Sequence, residues 1–306
     1  MNEAAAWKFG GQILSGSKAQ LPVVSKLLDN RHIVNYSRRD EFGRSHGFQR
    51  TLTSLFPPLL GPEISLISPG SPGDTDVAGV MPMQQVKEFL YYIGWTLRKD
   101  VPYHNYLSVA KETPEGFSKI GPILAPDIID NGFSGTFFVI KFLRKYFGYY
   151  LSVVGWSKDE NGNLNPNYNI RIATSNDGLN WQRLDKTAID LENKEGGISA
   201  ITILERKGIL HGWFSVRGTK NFRLSASGGY KIVHAFSHDG INWTRDSNFN
   251  LLPGLSDGAK AMVAYPSVYK VKDKLVLFFN GDGFGDDGIF WAWLPLKNLD
   301  YNKSNT

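Results

Sequence analysis

A short pattern occurs twice in this chain, as Ser175-Asn176-Asp177-Gly178-Leu179-Asn180-Trp181-Gln182-Arg183 and as Ser237-His238-Asp239-Gly240-Ile241-Asn242-Trp243-Thr244-Arg245. In both copies the Asp-Gly pair predicts a tight turn, because glycine tolerates the positive φ that such turns require. The tryptophan that follows is predicted to open an outer strand, with its ring covering the adjacent sheet. The copies lie about sixty residues apart, which indicates a repeated unit of that length.

The same interval separates aromatic-rich segments that we interpret as the second strand of each unit. They contain one large aromatic residue each, at Tyr36, Tyr92, Tyr150, Trp213 and Phe278. Five units of about sixty residues, each with four short strands, predict an all-β protein. The expected architecture is a five-bladed β-propeller of four-stranded antiparallel blades, and an open pair of β-sandwiches is the alternative.

The predicted propeller is a single domain that fills the chain. Its blades are expected at residues 15–70, 75–122, 132–190, 195–250 and 258–295. The last blade has only three strands before the pattern ends. Residues 5–12 are therefore predicted to supply its fourth strand and to close the ring, which removes an exposed sheet edge.

The composition supports a packed core and excludes several kinds of site. Of the 306 residues 42% are hydrophobic and 21% are charged, which argues against general disorder. The chain has no cysteine, so a disulfide scaffold, a Cys-ligated zinc, an iron–sulfur cluster and a cysteine nucleophile are excluded. The six histidines show no metal-ligand spacing. We therefore predict neither a catalytic metal nor a cofactor.

The distribution of charged and apolar residues indicates which classes of binding partner the protein has. The net charge of +5 comes from scattered cations without a Lys/Arg block, so we predict no nucleic-acid partner. A mild positive charge suits an anionic sugar substrate, and ordinary surface solvation explains it as well. No apolar run approaches the ~18 residues of a membrane span, and the first residues do not resemble a secretory signal. We therefore expect a cytoplasmic protein, and the sequence carries no signal for its oligomeric state.

Innermost propeller strands converge on an axial channel, so polar residues where these strands begin are expected to share one cavity. Carboxylates stand there in four of the five units, and Asp76 and Glu195 are the favoured pair. The carboxylates are Asp74 and Asp76, Asp127 and Asp130, Glu192 and Glu195, and Asp257. Aromatic rings stack on sugar faces, and charged groups bind hydroxyls or phosphate. Candidate substrate-binding residues of these kinds are Arg39, Arg44, His46, Trp95, Tyr103, His104, Asn105, Trp156, Arg217, Tyr265, Asn280 and Asp282.

Several of these candidates have a structural explanation of their own. Arg44 and His46 either bind substrate or pair with Asp40 or Glu41. For Trp95 and Trp156 the structural explanation is core packing within a blade. For Asp282 it is turn formation.

With these motifs, the chain resembles the five-bladed propeller superfamily of glycoside hydrolase families 43, 62, 32 and 68. It is most similar to a glycosyl-hydrolase-like group associated with bacterial surface-polysaccharide biosynthesis. The segments that carry the resemblance lie between about residues 20 and 293. They are YSRRD (36–40), GRSH (43–46), Asp76 with GVMP (79–82), YIGW (92–95), PYHN (102–105), YPSV (265–268), NGDG (280–283) and both Asp-Gly-x-Asn-Trp copies.

The resemblance implies an enzyme that acts on a glycosidic bond, with Glu195 as the acid and Asp76 as the base or a sugar ligand. Such hydrolysis needs two carboxyl groups, one on each side of the bond. The chain also departs from the family pattern, since Val77 replaces a second acid and Ala200-Ile201 replaces an Arg-Pro pair. The expected substrate is an intracellular sugar, phosphorylated or linked to a nucleotide or lipid. The alternatives are a non-catalytic sugar-binding or scaffold propeller and a glycoside phosphorylase.

Overall fold

The structure is a computed structural model that describes residues 7–16, 18–124, 134–158, 162–220, 222 and 228–303. Within these ranges the regular structure consists of strands and three short 3-10 helices, with no α-helix. The 3-10 helices lie at Asp257–Ala259, Asp282–Phe284 and Leu296–Lys303.

Antiparallel pairing between consecutive strands gathers the described chain into groups of four. The first group contains β2 (Gln20–Lys26), β3 (His32–Arg39), β4 (Ser45–Leu55) and β5 (Pro58–Ile67). The second contains β6 (Gly79–Val86), β7 (Phe89–Leu97), β8 (Tyr103–Thr113) and β9 (Gly116–Pro122). The third contains β10 (Ser134–Phe142), β11 (Lys145–Lys158), β12 (Leu164–Ser175) and β13 (Gln182–Ile189).

The fourth group contains β14 (Glu195–Arg206), β15 (Ile209–Gly218), β16 (Lys231–Ser237) and β17 (Thr244–Leu251). The last contains β18 (Ala264–Val271), β19 (Lys274–Asn280), β20 (Ile289–Pro295) and, from the start of the chain, β1 (Lys8–Leu14), which pairs antiparallel with β20. One parallel bridge joins the first group to the second, and another joins the third to the fourth. Backbone bonding thus forms two eight-stranded sheets and one four-stranded sheet, and none of them closes on itself in the described part of the chain.

The repeated Asp-Gly turns connect one group to the group before it. Gly178 and Gly240 have φ of 83° and 78°, the left-handed conformation that favours glycine. The Tyr91 hydroxyl on β7 donates to the Gly178 carbonyl at 2.6 Å, and the Tyr149 hydroxyl on β11 donates to the Gly240 carbonyl at 2.7 Å. The aromatic second strand of one group therefore holds the turn of the next group, which gives the sequence repeat a structural role.

The five innermost strands are linked in a cycle by hydrogen bonds from backbone N–H groups to side chains. Each strand has a register shift in its pairing with the second strand, so some of its N–H groups do not bond within the sheet. The oxygen acceptors belong to the adjacent innermost strand in every case. The bonds run from Val24 to Ser267, from Gln85 to Ser25, from Val139 to Gln84, from Ala200 to Thr136 and from Val268 to Thr202. These bonds place each innermost strand beside two others of the five.

Candidate functional site

A cavity of about 290 Å³ lies where the five innermost strands begin. We call it the central cavity. Each of those strands contributes to its wall, and aromatic and polar side chains from other strands complete it. The lining residues are Gln20, Leu21, Arg39, Met81, Ile93, Trp95, Tyr103, Asn105, Gly135, Thr136, Leu151, Asn165, Pro166, Tyr168, Ser199, Arg217, Phe222, Tyr230, Tyr265 and Phe284. Apolar walls with a few convergent polar groups are typical of small-molecule sites.

One side of the central cavity is formed by the ends of β3, β7 and β8. The Trp95 indole nitrogen donates to the Ser45 hydroxyl at 2.7 Å, which fixes the orientation of the ring. The guanidinium of Arg39 lies 5.3 Å from the Trp95 ring centroid. Tyr103 packs edge to face against Trp156, with the ring centroids 6.4 Å apart. This side therefore presents oriented aromatic rings beside an exposed cation.

Arg217, at the end of β15, also lines the central cavity and is only 2% exposed. Its Nε donates to the Tyr168 hydroxyl at 3.0 Å, and its Nη1 donates to the Gly218 carbonyl at 2.9 Å. Its Nη2 donates to the Pro166 carbonyl. The guanidinium also lies 4.0 Å from the Phe222 ring centroid. Neutral acceptors and aromatic rings thus hold this buried cation in place.

Two tyrosine hydroxyls lie beside Arg217. Tyr168 and Tyr230 are both buried, and their hydroxyls share a short hydrogen bond. Burial first, and then the neighbouring Tyr168, raise the pKa of Tyr230 well above its ordinary value of 10.0. The Tyr230 hydroxyl therefore keeps its proton at neutral pH and can act as a hydrogen-bond donor.

The two carboxylates predicted as acid and base each pair with a cation outside the lining of the central cavity. Asp76 Oδ2 lies 2.6 Å from Lys119 Nζ, and the Asp76 side chain is only 4% exposed. Glu195 accepts two hydrogen bonds from Arg245, at 2.8 and 2.9 Å, in a bidentate ion pair. Among the described residues that line the central cavity, none is an Asp or Glu.

Arg44 and His46 also lie outside this lining and gather around Asp40. Arg44 Nη2 and His46 Nε2 are 3.0 and 3.1 Å from Asp40 Oδ2. Burial alone would raise the pKa of Asp40, but the hydrogen bonds from His46 and Arg44 outweigh it and lower the pKa to about 2. This is the ion-pair arrangement that the sequence offered as the alternative to substrate binding.

Asn280 and Asp282 hold backbone segments together. Asn280 is fully buried, accepts from the Leu21 N–H, and donates to the carbonyls of Ala19 and Gly288. The Asp282 carboxylate accepts three backbone N–H groups at 2.8 to 3.0 Å, those of residues 260–262. His104 does not line the central cavity, and its ring packs against Tyr106.

The structure therefore brings together six of the sequence-predicted residues in the lining, namely Arg39, Trp95, Tyr103, Asn105, Arg217 and Tyr265. Trp156 contacts this group through Tyr103. Asp127 and Asp130 lie outside the described residues. Sequence reasoning missed Tyr168 and Tyr230, because it considered only the beginnings of innermost strands and the ends of second strands. The alternation of residues 164–172 gave a signal for Tyr168, since it places Tyr168 on the same face as the buried Ile170 and Ile172.

The described residues contain no group of three or more His, Asp or Glu side chains placed to hold a metal ion. Across the same residues, no helix has the length and apolar character needed to cross a bilayer.

Known proteins similar to this chain include a Mycobacterium tuberculosis protein and several solved structures. The uncharacterized M. tuberculosis protein is 28% identical over 310 residues, which cover 94% of this chain and 99% of the relative. A thermostable family-43 glycoside hydrolase aligns with a TM-score of 0.64 and 13% identity, over 94% of this chain and 91% of that one. An α-L-arabinofuranosidase from Lactobacillus brevis aligns with a TM-score of 0.65 and 13% identity, over 91% and 90%. No family model matches the chain.

A third solved structure belongs to work on the GH130 family of mannoside phosphorylases, which contains glycoside hydrolases that target β-1,2 mannosidic linkages in Candida mannan. It has a TM-score of 0.64 and 16% identity, over 94% of this chain and 86% of that one. At these identities the likeness shows the fold. The chain is an all-β protein with the propeller fold of glycoside hydrolases.

Proposed function

We propose that this protein binds a carbohydrate in the central cavity. The observation that carries the proposal is the composition of the lining, in which aromatic rings and two arginines converge and no Asp or Glu occurs among the described residues. Trp95 and Tyr103 offer faces for a sugar ring, while Asn105 and Asn165 offer amides for its hydroxyls. The volume of about 290 Å³ is close to the lower limit of ~300 Å³ for small-molecule pockets, so the ligand is a short saccharide.

The proposed site depends on a ring-shaped fold. We propose that the five groups of strands are the blades of one five-bladed propeller, with the predicted boundaries, and that the N-terminal strand closes it. The cycle of side-chain bonds between innermost strands and the pairing of β1 with β20 support this arrangement.

Ligand binding is tested by thermal shift and then by isothermal titration calorimetry. The purified protein is screened against neutral mono- and disaccharides, uronic acids, sugar phosphates and nucleotide sugars. A ligand that binds only the native state raises the melting temperature. Trp95→Ala is expected to weaken binding of the best ligand by at least about tenfold, because it removes a stacking surface worth about 0.5–1.5 kcal/mol beyond its buried area.

Phe42→Ala is the matched control, since Phe42 is a 75% exposed aromatic residue outside the lining. It should leave the affinity unchanged. If no sugar in the panel binds, or if both variants weaken binding equally, carbohydrate binding in the central cavity is contradicted.

A second candidate function is the cleavage or transfer of a glycosidic bond, as a glycosidase, transglycosidase or phosphorylase. The names of the similar solved structures favour it, since they include an arabinofuranosidase and mannoside phosphorylases. Glu195 is its proposed acid and Asp76 its proposed base. Under this candidate, Glu195→Gln abolishes release of the reducing sugar from a bound disaccharide while leaving the melting temperature nearly unchanged. A requirement for inorganic phosphate would identify the phosphorylase.

Three finer expectations remain part of this proposal. The partner is an anionic sugar, which the two arginines of the lining support. A cytoplasmic location and a role in surface-polysaccharide metabolism stay predictions from the sequence.

A further inference from the structure

We propose that Arg217, Tyr168 and Tyr230 form an oxyanion subsite of the central cavity, which binds a carboxylate or phosphate group carried by the sugar. The inference rests on the proposed carbohydrate binding and adds to it the position and the chemistry of one ligand group.

The first argument is the charge of Arg217. Several arginines elsewhere in the described chain pair with a carboxylate, as Arg245 does with Glu195 and Arg206 does with Asp300. The described residues place no carboxylate oxygen within ion-pair distance of Arg217, although this side chain is 98% buried. A buried charge without a counter-ion is costly. An anionic ligand group would supply the missing negative charge.

The second argument is the count of hydrogen-bond donors. A guanidinium has five N–H groups, and Arg217 directs three bonds to Tyr168, Gly218 and Pro166. The hydroxyls of Tyr168 and Tyr230 have two protons between them, and their mutual bond uses one. The guanidinium also hydrogen-bonds the Tyr230 hydroxyl, so one N–H group and one O–H group remain as donors. A surplus of donors favours a ligand group with several acceptor oxygens, such as a carboxylate or phosphate.

The third argument is the backbone that supports the cluster. Gly196 and Gly197 are adjacent residues on β14. A Cβ atom at Gly196 would lie 2.6 Å from Arg217 Nη1, and one at Gly197 would lie about as close to the Tyr168 ring. Two consecutive glycines thus leave the space in which the arginine and the tyrosine lie side by side. A larger residue at either position would displace the donors from the central cavity.

The test compares matched ligands by isothermal titration calorimetry. Glucose, glucuronate and glucose 1-phosphate share one ring and differ in charge, and galactose and mannose series are measured in the same way. The wild-type protein is expected to bind the charged member of at least one series at least about tenfold more tightly than the neutral sugar. The carboxylate and phosphate arms show which oxyanion the subsite takes.

Tyr230→Phe keeps the ring and removes only the hydroxyl. It should reduce the preference for the charged sugar, measured as the ratio of the charged-sugar to the neutral-sugar affinity, several-fold. Arg217→Met should abolish the preference. Arg39→Met is the comparison variant, because it removes the other cation of the lining, and a clear preference for the charged sugar should survive it. Circular dichroism and melting temperatures check folding, and Tyr230→Phe remains informative if Arg217→Met does not fold.

Each outcome decides between the two proposals. Equal affinity for charged and neutral sugars overturns the oxyanion subsite and leaves carbohydrate binding intact. A preference that survives both Arg217→Met and Tyr230→Phe but disappears in Arg39→Met also overturns it. If no sugar of any series binds, the proposed function fails, and the subsite fails with it.

Discussion

Acidification from pH 7.5 to pH 5.0 is expected to lower the free energy of unfolding by about 2 kcal/mol through His211 alone. His211 is 4% exposed, and its Nδ1 lies 3.1 Å from Nε2 of the fully buried His234. Burial first, followed by the neighbouring His234 and Arg206, lowers the pKa of His211 from 6.5 to about 3, although Asp246 and Asp300 oppose the shift. Burial likewise lowers the pKa of His234.

Acidification lowers the free energy of unfolding because the unfolded chain binds the proton at a higher pH than the native protein does. The unfolded chain protonates this histidine below about pH 6.5, whereas the native protein keeps it neutral until about pH 3. Stability is therefore complete above pH 6.5 and is lost as the pH falls from 6.5 towards 3. At pH 5.0 the solution is about 1.5 pH units below the pKa of this histidine in the unfolded chain. Because each unit corresponds to 1.36 kcal/mol, protonation stabilises the unfolded state by about 2 kcal/mol. His234 adds to the loss in the same direction.

The assay is urea unfolding followed by tryptophan fluorescence at pH 7.5 and pH 5.0. The carboxylates contribute equally to the pH dependence of the wild type and of His211→Gln, so their contribution cancels when the two proteins are compared. The free energy of unfolding of the variant should therefore fall by about 2 kcal/mol less on acidification. His238→Gln is the control, because His238 is exposed and should leave the wild-type pH dependence in place. An NMR titration of the His211 ring measures its pKa directly. A ring that titrates near pH 6.5, or a His211→Gln variant with the wild-type pH dependence, would refute the reasoning.

Two further substitutions test the structural roles of particular contacts. Tyr149→Phe leaves the Gly240 carbonyl without its donor, so urea unfolding should show a free energy of unfolding lower by about 1–2 kcal/mol. The equivalent Tyr91→Phe should have the same effect. Unchanged stability in both variants would contradict the structural role assigned to the repeat. Asp76→Asn and Lys119→Met each break a mostly buried ion pair and should each cost about 1–3 kcal/mol. Their double mutant should cost much less than the sum, and strict additivity would show that the pair is not coupled.

The repeat was readable from the sequence because its chemistry is local. Asp177 and Asp239 each accept N–H groups two and three residues further on, so the turn residues are determined by their own neighbours. Alternation of apolar and polar residues then indicated strands between the turns. An all-β chain with short, regularly spaced strands therefore followed from the sequence.

The partners of charged side chains were much harder to predict. Arg245 lies 50 residues from Glu195 in the chain, and only the pairing of strands within the fourth group brings them together. Lys119 likewise reaches Asp76 from the outer strand of its group. The sequence around a carboxylate does not show whether its side chain faces a cavity or pairs with a distant lysine or arginine. By contrast, Asp40 lies within six residues of Arg44 and His46, and the sequence did offer that ion pair as an alternative.

Tyr230 shows a second reason why site residues escape prediction. It lies just before β16, in a connection without periodicity, and it reaches the central cavity because Tyr168, 62 residues earlier, accepts or donates to its hydroxyl. Contacts of this kind depend on how neighbouring groups of strands pack. No pattern within one group of strands contains that information.

A crystal structure of the protein soaked with the tightest-binding saccharide of the panel tests the account most directly. We predict electron density for a sugar ring against Trp95 and Tyr103, with an acidic group of the ligand within hydrogen-bond distance of Arg217. A saccharide held instead between Asp76 and Lys119, beside Glu195, or on the outer strands would contradict binding in the central cavity.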